Sequence, residues 1–309
     1  MGFDTATTLE TPTGATLRLY TRRPQRPPRA VVQINHGLAE HAGRYARFAD
    51  FLTERGFAAY AHDHRGHGHT TAPGAPLGSF GPEPAAGKVV ADVLAVHDRI
   101  GEEHPGLPVI VFGHSLGGMI ALAFLARHGA RADAAAVWNA PTGGRLPAHA
   151  ARTLLAWERF RLGSDVPSRL MPRFTFQAWA RAVPDARTPF DWLSHDGAEV
   201  DAYIADPLCG WPPTIAMWRT IFAIDLAIAD GLAAIPKDLP IHLAGGAEDP
   251  VTARGRAVKQ LATRLKRTGV SNLETRIYAE TRHESLNELG RTRIMQDFSR
   301  WAAGIYARG

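Results

Sequence analysis

The stretch VFGHSLGG, residues 111–118, decides the interpretation of this sequence. It contains the pattern G-x-S-x-G, with Ser115 at its centre. The apolar, β-branched run that ends at Phe112 predicts a strand, and the apolar residues of 119–127 predict a helix. A serine at such a strand-to-helix turn sits on a strained backbone, with its hydroxyl at the helix N-terminus. The stretch therefore predicts that Ser115 is a nucleophile.

Further strand-like runs alternate with helical patterns along the chain. Apolar residues recur at helical spacing near 89–100 and 294–305. Continuous apolar runs are typical of strands covered on both faces, so the alternation predicts an α/β fold with a mostly parallel sheet. In such sheets functional groups gather at the carboxyl ends of the strands. The strand candidates are 30–35, 57–61, 108–112, 134–139, 240–244 and 273–279.

The region 143–218 departs from this alternation. It is irregular, rich in proline, and holds five of the seven tryptophans. Because it follows the strand candidate 134–139, we interpret it as a helical cap inserted into a core formed by residues 1–142 and 219–309. A second layer of core is the alternative interpretation. An apolar inner face of the cap would bind substrate, and its candidate residues are Trp157, Trp179, Trp211 and Trp218.

Two later loops offer partners for Ser115. Asp249 and His283 each lie just past a strand candidate. A serine hydroxyl needs a base, and Ser–Asp/Glu–His is one of the chain orders in which such triads occur. His283 is predicted to accept the serine proton, and Asp249 to fix the tautomer of His283. Glu248 is the alternative to Asp249, which we prefer because Pro250 follows it in a tight turn.

A tetrahedral intermediate also needs hydrogen-bond donors for its oxyanion, usually two backbone N–H groups. One is expected from the residue after the nucleophile, Leu116. The other is expected from the loop that follows an earlier strand, and Leu38 is the candidate there.

Five stretches together resemble one branch of the α/β-hydrolases, the monoacylglycerol lipase and lysophospholipase branch, which is similar to the serine aminopeptidase S33 group. They are HGLAEHAGRY (36–45), DHRGHGHT (63–70), GHSLGG (113–118), GAEDPV (246–251) and RHESLNE (282–288). The resemblance implies the α/β-hydrolase fold, with helices on both faces of a mostly parallel sheet and a helical cap after the sixth strand. It implies the same triad and the same two oxyanion donors.

The resemblance also implies a serine hydrolase that cleaves carboxylic esters through an acyl-enzyme, without a cofactor. The expected substrate is a monoacylglycerol, a lysophospholipid or a similar lipid-like ester. Small aryl or alkyl esters are one alternative, and a non-enzymatic binding scaffold is disfavoured because all three triad candidates are present. An aminopeptidase is another alternative, and it would need a cap carboxylate to hold the free amine. The candidates are Glu158, Asp185, Asp191, Asp196, Glu199 and Asp201.

The loop AHDHRGHGHT, residues 61–70, is unusually rich in histidine. We expect no metal there, because no second carboxylate–histidine cluster accompanies it in the sequence. In the family that the sequence resembles, this loop is structural. Asp63 and Arg65 are therefore expected to brace loops near the oxyanion strand, and Glu40 and His41 to buttress them.

Composition limits the partners. The net charge is +5, but the arginines are scattered, so nucleic acid is not an expected partner. The single cysteine, Cys209, excludes an intramolecular disulfide and fits a reducing compartment. The first fourteen residues lack the basic start and apolar run of a signal peptide, and no apolar stretch reaches the length of a membrane span. We expect a cytoplasmic protein, with transient contact to a membrane or micelle surface left open.

Overall fold

The computed structural model describes residues 3–306, and an eight-stranded sheet forms its centre. The ends of the predicted core ranges, residues 1–2 and 307–309, lie outside the described residues. The order across the sheet is β1-β2-β4-β3-β5-β6-β7-β8. Strands β1 and β2 run antiparallel to their neighbours, whereas β3 to β8 are parallel. The strands are β1 Thr5–Glu10, β2 Thr16–Arg22, β3 Ala30–Asn35, β4 Phe57–His62, β5 Val109–His114, β6 Ala134–Trp138, β7 Ile241–Gly246 and β8 Leu273–Tyr278.

Helices cover both faces of the sheet. The side chains of α1 and α10 pack on the face that carries Ile34 and Phe112, and those of α2, α3, α8 and α9 pack on the face that carries Val111. Strands β3 to β7 are buried along their whole length, as their continuous apolar runs predict. The helices are α1 Ala46–Thr53, α2 Ala86–Glu103, α3 Leu116–His128, α4 Arg145–Leu162, α5 Met171–Phe174, α6 Phe176–Arg181, α7 Gly197–Ala205, α8 Ile215–Gly231, α9 Arg256–Arg267 and α10 Arg291–Tyr306.

The register of the parallel strands aligns their carboxyl ends. Asn35 of β3 pairs with Gly113 of β5, and Trp138 of β6 pairs with both His114 and Ala244. The loops that follow strands β3 to β8 therefore leave the sheet at one edge, where every motif singled out in the sequence lies.

The segment after β6 forms α4 to α7 and then enters α8. Residue 218, the predicted end of the cap, lies inside α8, so this helix carries the chain from the inserted segment towards β7. The segment has a small core of its own, which includes Val183, Trp192 and Tyr203. Its division from the rest of the chain stays a prediction. Within residues 3–306, no helix combines the length and apolar character needed to cross a membrane.

Candidate active site

Ser115 lies at a sharp turn between β5 and α3. Its backbone has φ 55° and ψ −119°, a conformation that side chains rarely adopt. The turn is possible because two glycines pass very close to other backbone atoms. A Cβ atom at position 113 would lie 2.2 Å from the carbonyl oxygen of Gly117, and one at position 117 would lie 2.0 Å from that of Asn35. The G-x-S-x-G pattern is thus a steric requirement of the turn.

The loops after β7 and β8 bring Asp249 and His283 to this serine. The Nε2 atom of His283 lies 2.8 Å from the Ser115 Oγ, and its Nδ1 atom lies 3.0 Å from the Asp249 Oδ2. All three side chains are buried. This chain of hydrogen bonds has the geometry that an activated serine requires. The neighbouring Glu248 lies elsewhere: its half-exposed carboxylate is 3.2 Å from the Nε2 atom of His195.

The Asp249 carboxylate is held by three further donors. They are the side chains of Asn139, at 3.0 Å, and Thr252, at 2.7 Å, and the backbone N–H of Val251, at 2.9 Å. Burial by itself would raise the pKa of Asp249, but the His283 ring and the two side-chain donors outweigh it and lower that pKa below its ordinary value. Sequence reasoning missed Asn139, whose only signal was a polar residue at the end of an apolar strand.

Leu38 and Leu116 line the same cavity as Ser115 and His283, which has a volume of about 260 Å³. Among residues 3–306, no protein acceptor is found for the backbone N–H of either leucine. The preceding N–H, that of Gly37, donates to the Glu40 carboxylate at 2.5 Å, which fixes the loop that carries Leu38. Both amides are therefore free to donate to a bound oxygen.

A buried ionic network joins this loop to the loop of His283. The Arg44 guanidinium donates to Glu40 at 2.6 Å and to Glu284 at 2.5 and 2.7 Å. His114 contacts the backbone oxygen of His283 at 2.9 Å and lies 3.6 Å from Glu40. Burial lowers the pKa of His114, but the Glu40 carboxylate, the backbone oxygen of His283 and the charge of Glu284 together outweigh it, so that the pKa is raised. The expectation that Glu40 acts as a buttress agrees with these contacts.

The inserted segment supplies aromatic walls for the cavity. Trp179 and Trp218, two of the predicted residues, line it. Trp192, which was not predicted, lines it as well and packs on the His283 ring, with 5.4 Å between the ring centres. Trp157 is not a lining residue, because it lies on the outer face of α4 and is 52% exposed. Trp211 is not one either: its ring packs on His67 at 4.8 Å and its N–H donates to Leu208.

The histidine-rich loop is a buried brace. The Asp63 carboxylate accepts the backbone N–H groups of Ala42 and His69, each at 2.8 Å. Arg65 forms a buried ion pair with Asp92, with 2.7 Å between Nε and Oδ2. These contacts connect the loops as expected.

One group of three side chains among the described residues has the spacing of metal ligands: the ligand atoms of His41, Asp206 and Cys209 lie within 4.8 Å of one another. However, the backbone N–H of Gly43 donates to the His41 Nδ1 atom, so His41 Nε2 carries the proton and donates it to Asp206 at 2.9 Å. Burial also raises the pKa of the Cys209 thiol, which disfavours the thiolate that a metal would need.

The sequence is similar to proteins of one hydrolase family. Residues 26–290 match the model of the family described as serine aminopeptidase, S33. A monoacylglycerol lipase of Mycolicibacterium smegmatis is 28% identical over 285 residues, which cover 90% of this chain and 89% of that protein. A human monoglyceride lipase is 30% identical over 238 residues, which cover 74% of this chain and 67% of that protein.

Solved structures agree with this similarity. A thermostable carboxyl esterase from Bacillus coagulans in complex with glycerol matches with a TM-score of 0.86 and 27% identity, over 99% of both chains. A lipase in its open form matches with a TM-score of 0.84 and 28% identity, over 98% of this chain and 99% of that one. The predicted fold and the predicted class, a carboxylic-ester hydrolase, are confirmed. The chain belongs to the serine aminopeptidase S33 family, in the monoacylglycerol lipase-like branch of the α/β-hydrolases.

Proposed function

We propose that this protein hydrolyses monoacylglycerols or similar lipid-like esters through an acyl-enzyme formed on Ser115. The observation that carries the proposal is the continuous hydrogen-bond chain Ser115–His283–Asp249, with separations of 2.8 and 3.0 Å, inside an aromatic-walled cavity. The relatives named monoacylglycerol lipase and monoglyceride lipase support this choice of substrate.

In the proposed reaction the Ser115 hydroxyl attacks the ester carbonyl while the Nε2 atom of His283 accepts its proton. The backbone N–H groups of Leu38 and Leu116 stabilise the oxyanion. His283 then protonates the leaving alcohol, and a water molecule activated by the same ring releases the acid. Asp249 keeps the Nδ1 proton of His283 in place and stabilises the imidazolium. No step requires a cofactor.

The size of the cavity limits the acyl chain. At roughly 30 Å³ for each water-sized group, 260 Å³ holds about nine such groups. Each methylene buried against the aromatic walls contributes about 0.8 kcal/mol. We therefore expect the rate on esters to rise with chain length up to medium chains. Small aryl or alkyl esters, the alternative, would show no such rise.

The aminopeptidase alternative has less support. None of its six candidate carboxylates is among the cavity-lining residues that the structure describes. Glu158, for example, is buried and accepts hydrogen bonds from Ser168 and from the backbone N–H of Arg169, both at 2.6 Å. It is therefore engaged in the structure of the inserted segment.

The outer face of the inserted segment supports transient contact with a lipid or micelle surface. Three apolar side chains of α4 are more than half exposed there: Leu146, Trp157 and Phe160. A cytoplasmic location stays a prediction, supported by the free Cys209 thiol.

The test is hydrolysis of p-nitrophenyl esters from C2 to C16 and of monoacylglycerols, with Ser115→Ala as the control variant. The expected result is cleavage of both classes by the wild type, with a maximum at medium chain length, and loss of activity in the variant. Equal, slow rates for both proteins on all substrates would refute the proposal and favour a binding scaffold. Preference for aminoacyl amides would favour the aminopeptidase.

A further inference from the structure

The loop that carries the catalytic histidine is bound to the inserted segment by backbone hydrogen bonds. The N–H of His283 donates to the carbonyl oxygen of Trp192 at 3.3 Å, and the N–H of Glu284 donates to that of Leu193 at 2.7 Å. The rings of Trp192 and His283 also pack together, with 5.4 Å between their centres. We call residues 191–195 the clamp, because they lie directly along the catalytic loop.

Side chains strengthen the attachment of the clamp. The Arg282 guanidinium donates to the carbonyl oxygens of Asp191, at 2.7 Å, and Ser194, at 3.1 Å. In return the Ser194 hydroxyl donates to the carbonyl oxygen of Asn287 at 2.9 Å. The clamp therefore contacts the loop on both sides of His283, and a displacement of the clamp would displace the catalytic ring.

A buried carboxylate, that of Glu288, joins the clamp and the loop at one point. The side chain is fully buried. Its Oε1 atom accepts the backbone N–H of Arg282 at 2.8 Å and the backbone N–H of His195 at 3.2 Å. The same atom lies 2.9 Å from the Nδ1 atom of His195, which donates to it because a carboxylate oxygen only accepts. Removing this acceptor would leave three donors without their partner, which is costly in a buried site.

His195 also contacts the loop of the catalytic acid. Its Nε2 atom lies 3.2 Å from the Oε2 atom of Glu248, the residue that precedes Asp249. One side chain of the clamp thus reaches both the loop of the acid and the loop of the base. The contact with Glu288 is the stronger one, because the Glu248 side chain is 50% exposed and exposed ion pairs contribute little.

We propose that His195 and Glu288 are positioning residues for His283. The Nε2 atom of His283 must stay 2.8 Å from the Ser115 Oγ while its Nδ1 atom stays 3.0 Å from Asp249. A misplacement of about 1 Å in such an arrangement lowers the rate about a hundredfold. Neither His195 nor Glu288 is among the cavity-lining residues in the described part of the chain. They therefore act on the catalytic ring and not on the binding of substrate.

The inference rests on the proposed ester hydrolysis, and titration of the active site separates the two. A fluorophosphonate labels a serine that histidine activates, so the labelled fraction at completion counts intact sites and the rate per site reports the position of His283. The kcat and KM for p-nitrophenyl octanoate are measured beside it. A wild type that is labelled but hydrolyses no ester would refute the proposed function, whereas the labelling rates would still test the clamp.

Two replacements of His195 separate its contacts. The amide nitrogen of His195→Asn can take the place of Nδ1 and donate to Glu288, and that of His195→Gln can take the place of Nε2 and donate to Glu248. We expect kcat and the labelling rate per site to fall about tenfold to hundredfold in His195→Gln and His195→Ala, but less than about threefold in His195→Asn. The KM should stay within about twofold, because the cavity walls are unchanged.

The control variant is Arg145→Gln, which removes a different contact of the inserted segment, the exposed ion pair with Asp230 at 2.5 Å. It should leave kcat unchanged. Glu288→Gln keeps an oxygen for the backbone N–H groups of Arg282 and His195, and should retain more activity per site than Glu288→Ala. The proposal is wrong if His195→Ala and His195→Gln keep the wild-type kcat. It is also wrong if they lower only the labelled fraction, with the rate per labelled site unchanged, because the role would then be structural.

Discussion

Acid should destabilise this protein through its buried histidines. His36, His62 and His67 are fully buried around the loop 61–70, and burial lowers their pKa values to about 3, about 4 and about 3. The ordinary value, about 6.5, applies in the unfolded chain. The folded state thus holds these rings neutral. Their contribution to stability is complete above pH 6.5 and is lost as the pH falls below that value, because the unfolded chain then binds protons that the folded chain does not.

The size of the loss in stability follows from the gap between the pH and the histidine pKa of the unfolded chain. At pH 5 the histidine pKa in the unfolded chain lies about 1.5 units above the pH, and each unit corresponds to about 1.4 kcal/mol. Each buried histidine therefore lowers the free energy of unfolding by about 2 kcal/mol. The three together cost about 6 kcal/mol, against a typical total stability of about 5–15 kcal/mol. Burial also lowers the pKa of His64, in the same direction. A large part of the stability present at pH 8 should therefore be gone at pH 5.

The assay is the free energy of unfolding from urea titrations at pH 8 and pH 5, for the wild type and for His62→Leu. Both ring nitrogens of His62 lack partners among the described residues, so leucine removes a titrating group without breaking a hydrogen bond. The difference between the two pH values should shrink by about 2 kcal/mol in the variant. The control is His69→Gln in the same loop, whose exposed side chain should leave the difference unchanged. An equal pH difference in the wild type and in His62→Leu would refute the reasoning.

Three further predictions follow from the geometry. Asp249→Asn should lower kcat by about 10⁴-fold with the fold retained, because the tautomer of the base is no longer fixed; steady-state kinetics and circular dichroism check this, and a loss below tenfold would contradict it. Gly117→Ala should abolish folding or lower the free energy of unfolding by more than about 4 kcal/mol, because its Cβ atom would lie 2.0 Å from a backbone oxygen. Gly101→Ala in α2 is the matched control: its Cβ atom would have no neighbour within 4 Å, so it should stabilise the protein by about 0.5–1 kcal/mol. Thermal unfolding compares the two, and equal effects would count against the steric argument. Arg65→Met should lower the free energy of unfolding by about 3–5 kcal/mol, because it leaves the Asp92 carboxylate buried without its cation. A decrease of less than 1 kcal/mol in urea unfolding would contradict this.

The sequence predicted the parallel part of the sheet and the loops that carry Ser115, Asp249 and His283. The parallel strands could be predicted because they are buried on both faces, which leaves continuous apolar runs in the sequence. The loop of Ser115 could be predicted because its turn leaves no room for a Cβ atom at positions 113 and 117. Strands β1 and β2 were not predicted. Strand β1 lies at the edge of the sheet, and five of its six residues are exposed, so no apolar pattern marks it. Strand β2 is buried only at alternate residues, so it has no continuous apolar run.

The walls of the cavity were harder to predict. A tryptophan in an irregular segment does not reveal which way it faces, so Trp157 was included and Trp192 was missed. Asp225 looks like a solvated charge in a helix, but it is buried and accepts the backbone N–H groups of Gly143 and Gly144, just before α4. Asn139, just after β6, supports Asp249 across a separation of 110 residues, a contact that no local pattern encodes.

The most direct test of the catalytic role of Ser115 is the mass of the protein quenched during turnover of p-nitrophenyl octanoate. We predict one added octanoyl group, located by peptide mapping on Ser115 and absent from Ser115→Ala. Octanoyl on a different residue, or hydrolysis that continues unchanged in Ser115→Ala, would contradict the mechanism.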